Sequence, residues 1–188
     1  MNDPELTASV LAHDHSEIDT LTHDLLGALE KGRQAQIFAR LDLLWARLAV
    51  HIRAEHLCLF PSILEADFSI RSDGPQDQEV RSAIDQLRLD HEFFMRELGT
   101  SVHAIRTQNL SNREVFKRFR ELGRAVFEIQ SRLAKHNQFE ENHVYKWVNI
   151  VLGEAERAAL LARIKRELEN MPPRFTNFER LWNPNFGA

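Results

Sequence analysis

Residues 41–60 read LDLLWARLAVHIRAEHLCLF. Wound as a helix at about 100° per residue, this stretch lines up Leu41, Leu44, Leu48 and Leu59 on one stripe, and the same stripe contains His51, Glu55 and Cys58. An imidazole and a carboxylate in the middle of an apolar face set both the fold and the chemistry to be expected. The pattern recurs further along, where Leu122, Val126, Ile129, Leu133, Val144 and Trp147 surround His136, Glu140 and His143. Two more apolar stripes each carry one histidine: Leu11, Ile18, Leu25, Leu26 and Leu29 with His15, and Val80, Ile84, Leu87, Met95, Leu98, Val102 and Ile105 with His91. His13 falls on the opposite side of the first helix.

Working outward, the first helix is predicted from about Glu5 to Glu30, closed by Lys31-Gly32, where glycine can take a left-handed conformation. The second spans about Gln36 to Glu65 and contains Pro61, which is predicted to kink or end it. Phe68 to Gln78 is the interior loop, and the third helix covers about Glu79 to Arg106. Ser111 and Glu114 fit a capping box opening a fourth helix that runs to about Val151. Gly153 breaks it, a shorter helix follows from Glu154 to Asn170, and Met171-Pro172-Pro173 stops that one. Phe175, Phe178, Trp182 and Phe186 mark an extended tail laid over the helices or a partner. Short connections force neighbours to be antiparallel. The expected fold is therefore all-α: an up-down-up-down four-helix bundle over residues 1–152, with a C-terminal helix and tail over 153–188.

Composition narrows the function. Among 188 residues there are only 7 Gly and 6 Pro, too little punctuation for an all-β fold. A net charge of −4 offers no basic field for nucleic acid or anionic membrane, so neither is an expected partner. The one cysteine, Cys58, excludes an internal disulfide framework and reads as a small buried hydrophobe. No stretch is apolar for long enough to span a membrane and the N-terminus lacks a leader pattern, so the expected compartment is the cytoplasm.

The nine histidines carry the functional reading. Unpaired polar groups in a helical core cost on the order of several kcal/mol each, and a metal ion would satisfy them. The spacing His-x-x-x-Glu, at His51 with Glu55 and at His136 with Glu140, puts both side chains on one face about 6 Å apart, as joint coordination requires. At about 1.5 Å rise per residue, His15, His51, His91 and His136 come to similar depths once the helices run up and down. The ligand types suit iron, manganese or zinc. His143 is a candidate further ligand, His23 and His56 flank the stripes, and His103 reads as a surface residue. Tyr145 is open between core packing and a hydrogen bond at the site.

Taken together, Asp14-His15-Ser16-Glu17, the run His51 to Pro61, Asp90-His91-Glu92 and His136 to Glu141 resemble the hemerythrin-like family, also called the HHE cation-binding domain. The resemblance covers about residues 8–150. It implies a four-helix bundle around two non-haem iron ions, with His15, His51, Glu55, His91, His136 and Glu140 as ligands and the glutamates bridging. Met95 stands where the oxygen carriers of that family have a further histidine, which argues against a dedicated oxygen carrier. The implied function is a di-iron protein that binds O2 or NO in sensing, storage or stress response. One alternative is an enzyme turning over hydrogen peroxide or nitric oxide; another is a metal-free helical interaction module. A homodimer is compatible with any of these.

Overall fold

The computed structural model of the chain describes residues 6–32, 34–66, 68, 75–106 and 112–172. Among them the long regular elements are all helical and no strand occurs. Helix α1 spans Leu6–Glu30 and α2 spans Gln34–Ala54; α2 passes through a π turn, π1, at Glu55–Leu59 into α3 at Phe60–Leu64. Helix α4 covers Asp77–Arg106. Helix α5, Asn112–Phe139, likewise passes through a π turn, π2, at Glu140–Val144 into α6 at Tyr145–Val151, and α7 covers Glu154–Glu169. The expected cap at Ser111 and the aromatic tail with Phe175, Phe178, Trp182 and Phe186 lie outside the residues described here.

Helix α1 ends as its sequence predicts. Gly32 has φ 60°, and its N–H bonds the carbonyl of Leu29 at 3.2 Å. That left-handed conformation costs an L-residue about 1 kcal/mol, although a Cβ would meet nothing within 4 Å. Gly32→Ala is therefore expected to lower stability by about 1 kcal/mol, read as a shift in denaturant midpoint at unchanged slope.

Regular helix is interrupted just before Pro61 and ends three residues after it, close to where the proline is expected to act. At Pro61 itself the helix continues, reaching Leu64. Proline has no N–H to offer the carbonyl of Leu57 one turn earlier. Arg163 of α7 supplies the donor instead, at 2.7 Å. The irregularity lies just upstream, in π1, where the N–H of Phe60 bonds the carbonyl of Glu55 five residues back.

Helices α1, α2, α4 and α5 contact one another in a ring, α1 to α2, α2 to α4, α4 to α5 and α5 to α1. Ion pairs fix the sense of the first pair: Asp24 meets Arg40 and Glu17 meets Arg47, so α1 and α2 run antiparallel. Helix α7 lies across α1, α2 and π1. Arg53 pins its end, pairing with Glu167 at 2.8 Å and donating to the carbonyl of Asn170 at 2.6 Å, a cation at a helix C-terminus.

The apolar interior falls into two clusters rather than one. Leu11, Val50, Leu59, Phe60, Ile84, Leu87, Val144 and Val148 belong to the first, which also takes Leu160 and Ile164 from α7. Ile18, Leu25, Leu44, Leu48, Phe94, Leu98, Ile129 and Leu133 belong to the second. Along every long helix the residues between these two sets are polar and buried: His15 on α1, His51 and Glu55 at the α2–π1 junction, His91 on α4, and His136 and Glu140 at the α5–π2 junction. A polar storey thus divides the core. No helix among the described residues is long and apolar enough to cross a membrane.

Candidate metal centre

Each element delivers its side chain for a local reason. His51 and Glu55, like His136 and Glu140, are four residues apart on one helical face, so both point inward wherever the flanking leucines do. His15 lies between Leu11 and Ile18 on α1, and His91 between Leu87 and Phe94 on α4. All six side chains are buried, Glu55 and Glu140 completely. They form two groups of four whose ligand atoms lie within 4.8 Å of one another: His15, His51, Glu55 and Glu140 in the first, and His91, His136, Glu55 and Glu140 in the second.

The two glutamates belong to both groups, one oxygen to each. Glu55 turns Oε1 to His51 Nε2 and Oε2 to His91 Nε2, both at 3.2 Å. Glu140 turns Oε2 to His15 Nε2 at 3.3 Å and Oε1 to His136 Nε2 at 3.4 Å. Within the groups the Nε2 atoms face each other, at 3.1 Å for His15 and His51 and 2.9 Å for His91 and His136. Neighbouring ligands at right angles, each about 2.1 Å from one ion, are about 3.0 Å apart, so the spacing suits a shared cation.

Groups behind the histidines orient them. His51 donates from Nδ1 to Asp14 at 2.7 Å, and Arg47 grips the other oxygen of that carboxylate. His136 donates from Nδ1 to Asp90 at 3.3 Å, and Arg132 grips Asp90 at 2.6 Å. His15 donates from Nδ1 to Glu141 at 2.9 Å. A carboxylate can only accept, so in the neutral imidazoles the proton sits on Nδ1 and the Nε2 lone pair is left aimed inward. His91 Nδ1 meets Nε2 of His56 at 2.9 Å.

This arrangement needs positive charge at its middle. None of the four oxygens of Glu55 and Glu140 accepts a hydrogen bond in good geometry, although all are buried. Where protons are the only cations, the histidines take them up. Burial alone would lower His51, but the charge of Glu55 and the Asp14 hydrogen bond outweigh it and push His51 up to about 10. His136 is likewise pushed up to about 9, burial being overcome by Glu140 and Asp90. Burial acts against the charged form of Glu55 too, yet His51 holds it well below the usual carboxylate range. Buried carboxylates and convergent imidazole nitrogens could hold a metal ion in either group, Glu55 and Glu140 belonging to both.

The π turns decide what surrounds the six. Each adds one residue to its turn, so the inward position after the glutamate is five residues on rather than four. Phe60 stacks on His91 with ring centroids 5.9 Å apart. Tyr145, its counterpart, stacks on His15 at 5.8 Å and sets its hydroxyl 3.1 Å from His15 Nε2. Burial, then the charges of Glu140 and Glu55, hold the Tyr145 phenol well above its usual range, so it stays protonated.

The same turn corrects the reading of His143 as a further ligand. It lies exposed, stacked against Phe139 at 4.7 Å and tilted toward Trp147, because the extra residue of π2 rotates it off the face of His136 and Glu140. His23 and His103 are also exposed, and His13 pairs with Glu17 on the surface. His56 is half-buried behind His91, Cys58 is buried, and Met95 packs in the second apolar cluster. Sequence reasoning gave no role to Arg47, Arg132, Asp14, Asp90 or Glu141. A signal for most of them exists: Arg-x-x-x-His-x-x-x-Glu occurs at Arg47, His51 and Glu55 and again at Arg132, His136 and Glu140, and Asp-His occurs at Asp14-His15 and at Asp90-His91. No protein-family model, curated protein or solved structure matches this chain.

Proposed function

We propose that the chain is a hemerythrin-like, non-haem di-iron protein whose four long helical segments form a four-helix bundle around the metal pair. One observation carries the reading: two sets of paired histidines face two fully buried glutamates, each of which offers one oxygen to either set. Iron held there would supply Lewis acidity and redox capacity toward a small ligand such as O2, NO or hydrogen peroxide. Manganese and zinc suit the same donors, and iron is favoured by the resemblance of the motifs.

The residues of the chain divide the work. His15 and His51 would hold one ion and His91 and His136 the other, with Glu55 and Glu140 offering an oxygen to each. Asp14 with Arg47, and Asp90 with Arg132, keep His51 and His136 turned inward. Phe60, Phe94, Leu11 and Ile18 exclude water from above and below the polar layer. Tyr145 holds a proton at its hydroxyl beside His15, which favours a second reading, turnover of peroxide or nitric oxide with this phenol as a nearby hydrogen-bond donor.

Elemental analysis of the purified protein, with visible spectra before and after reduction and re-exposure to air, tests both. The expected result is about two irons per chain with charge-transfer absorption that reduction bleaches. A stable coloured adduct with NO or O2 supports the binding protein, and catalytic consumption of peroxide supports the enzyme. Little metal, with no gain on anaerobic reconstitution with ferrous iron, overturns both and leaves a metal-free interaction module.

A further inference from the structure

The two halves of the centre correspond residue by residue: Asp14, His15, Arg47, His51, Glu55 and Phe60 on one side of the comparison, Asp90, His91, Arg132, His136, Glu140 and Tyr145 on the other. The residue after each glutamate breaks the match. It is His56 after Glu55 and Glu141 after Glu140, and each reaches the Nδ1 of the histidine across from it. His15 is thus backed by a carboxylate, whereas His91 is backed by another imidazole.

From this we infer that the two metal positions are inequivalent: the His15/His51 position binds a divalent cation first and more tightly, and Glu141 is the positioning residue that makes it so. The inference rests on the metal reading above. A carboxylate accepting the Nδ1 proton makes Nε2 a stronger donor to a metal, an effect worth about 10- to 100-fold in affinity. A neutral imidazole acceptor does less, because it carries no charge. The other histidine of each pair points the same way, since His51 bonds Asp14 at 2.7 Å while His136 bonds Asp90 at 3.3 Å. Each of these differences places the more basic surroundings at the His15/His51 position.

Titration of the chelator-stripped full chain with cobalt(II) under anaerobic conditions tests this, followed by calorimetry and by the cobalt d–d absorption. Mutual repulsion of two dications separates the steps in any such pair, so the variants decide. Glu141→Gln is expected to weaken the first step about 10-fold and leave the second within twofold, merging the two. His56→Glu is expected to tighten the second step about 10-fold and leave the first unchanged. Both positions are partly exposed, so both variants should fold, and far-UV circular dichroism checks that they do. Equal weakening of both steps by Glu141→Gln, or no change in either, overturns the inequivalence while leaving the metal reading intact. Failure of the wild-type chain to bind cobalt(II) overturns the metal reading and this inference with it.

Discussion

Glu55→Ala is expected to cost both metal ions, whereas His51→Ala should cost one. The reason is the way the carboxylate is shared. Glu55 lies against His51 through Oε1 and against His91 through Oε2, so its removal takes a ligand from each position at once. It also removes a negative charge that would face both dications inside a buried layer, where solvent does little to replace it. Affinity should fall by on the order of 100-fold or more at both positions, beyond the loss expected from a group standing behind a ligand. Metal per chain after dialysis, measured for wild type, Glu55→Ala, Glu140→Ala and His51→Ala, checks this directly. Retention of one full equivalent by Glu55→Ala would show that the glutamates serve single ions rather than bridging.

Stripping the metal is expected to destabilise the protein strongly, and more so as the pH rises. Two bound ions, each at a free concentration about 1000-fold over its dissociation constant, stabilise by about 4 kcal/mol apiece. For a chain of this size that corresponds to a fall in Tm of about 15 to 30 °C on chelation. The pH dependence follows from the histidines. His51 and His136 are raised from an ordinary 6.5 to about 10 and about 9. Their protonated pairs with Glu55 and Glu140 therefore stabilise the stripped protein in full below about pH 6.5, and this contribution is lost as the pH climbs through 9 to 10. The metal-loaded protein has no such protons to lose at Nε2, so its Tm should stay level over the same range and the gap should widen. On the acid side the sign reverses. Asp90 is held at about 2 against the pull of burial, by its hydrogen bonds from His136 and Arg132, so its contribution is present above about pH 4 and is lost as the pH falls toward 2. Thermal melts of the stripped and loaded forms between pH 6 and 10 measure the effect. A stripped protein whose Tm holds level or rises across that range would contradict it.

Much of this polar layer was legible in the sequence. Helical periodicity assigned the four long helices, because a stripe recurring every three to four residues is set by local geometry alone. It also picked out His15, His51, Glu55, His91, His136 and Glu140, since a polar residue on an apolar stripe must end up wherever its leucine neighbours do. The structure gathers these six in one layer.

Other features needed the fold. A π turn changes which carbonyl an N–H meets, and no hydrophobic period of 3.6 encodes that change. The shift turned His143 out to the surface and brought Tyr145 in beside His15. Pro61 left the carbonyl of Leu57 without a backbone donor, a lack that disrupts an isolated helix but is met here by Arg163, distant in sequence. The partners behind the histidines, Glu141 for His15 and Asp14 for His51, likewise sit on other helices. Sequence by itself determined which residues of the regular helical turns face inward, because that is a property of one helix and its own repeat. Only the tertiary structure decided which of them share a carboxylate, which are held by a charge and which by an imidazole, because those are contacts between helices.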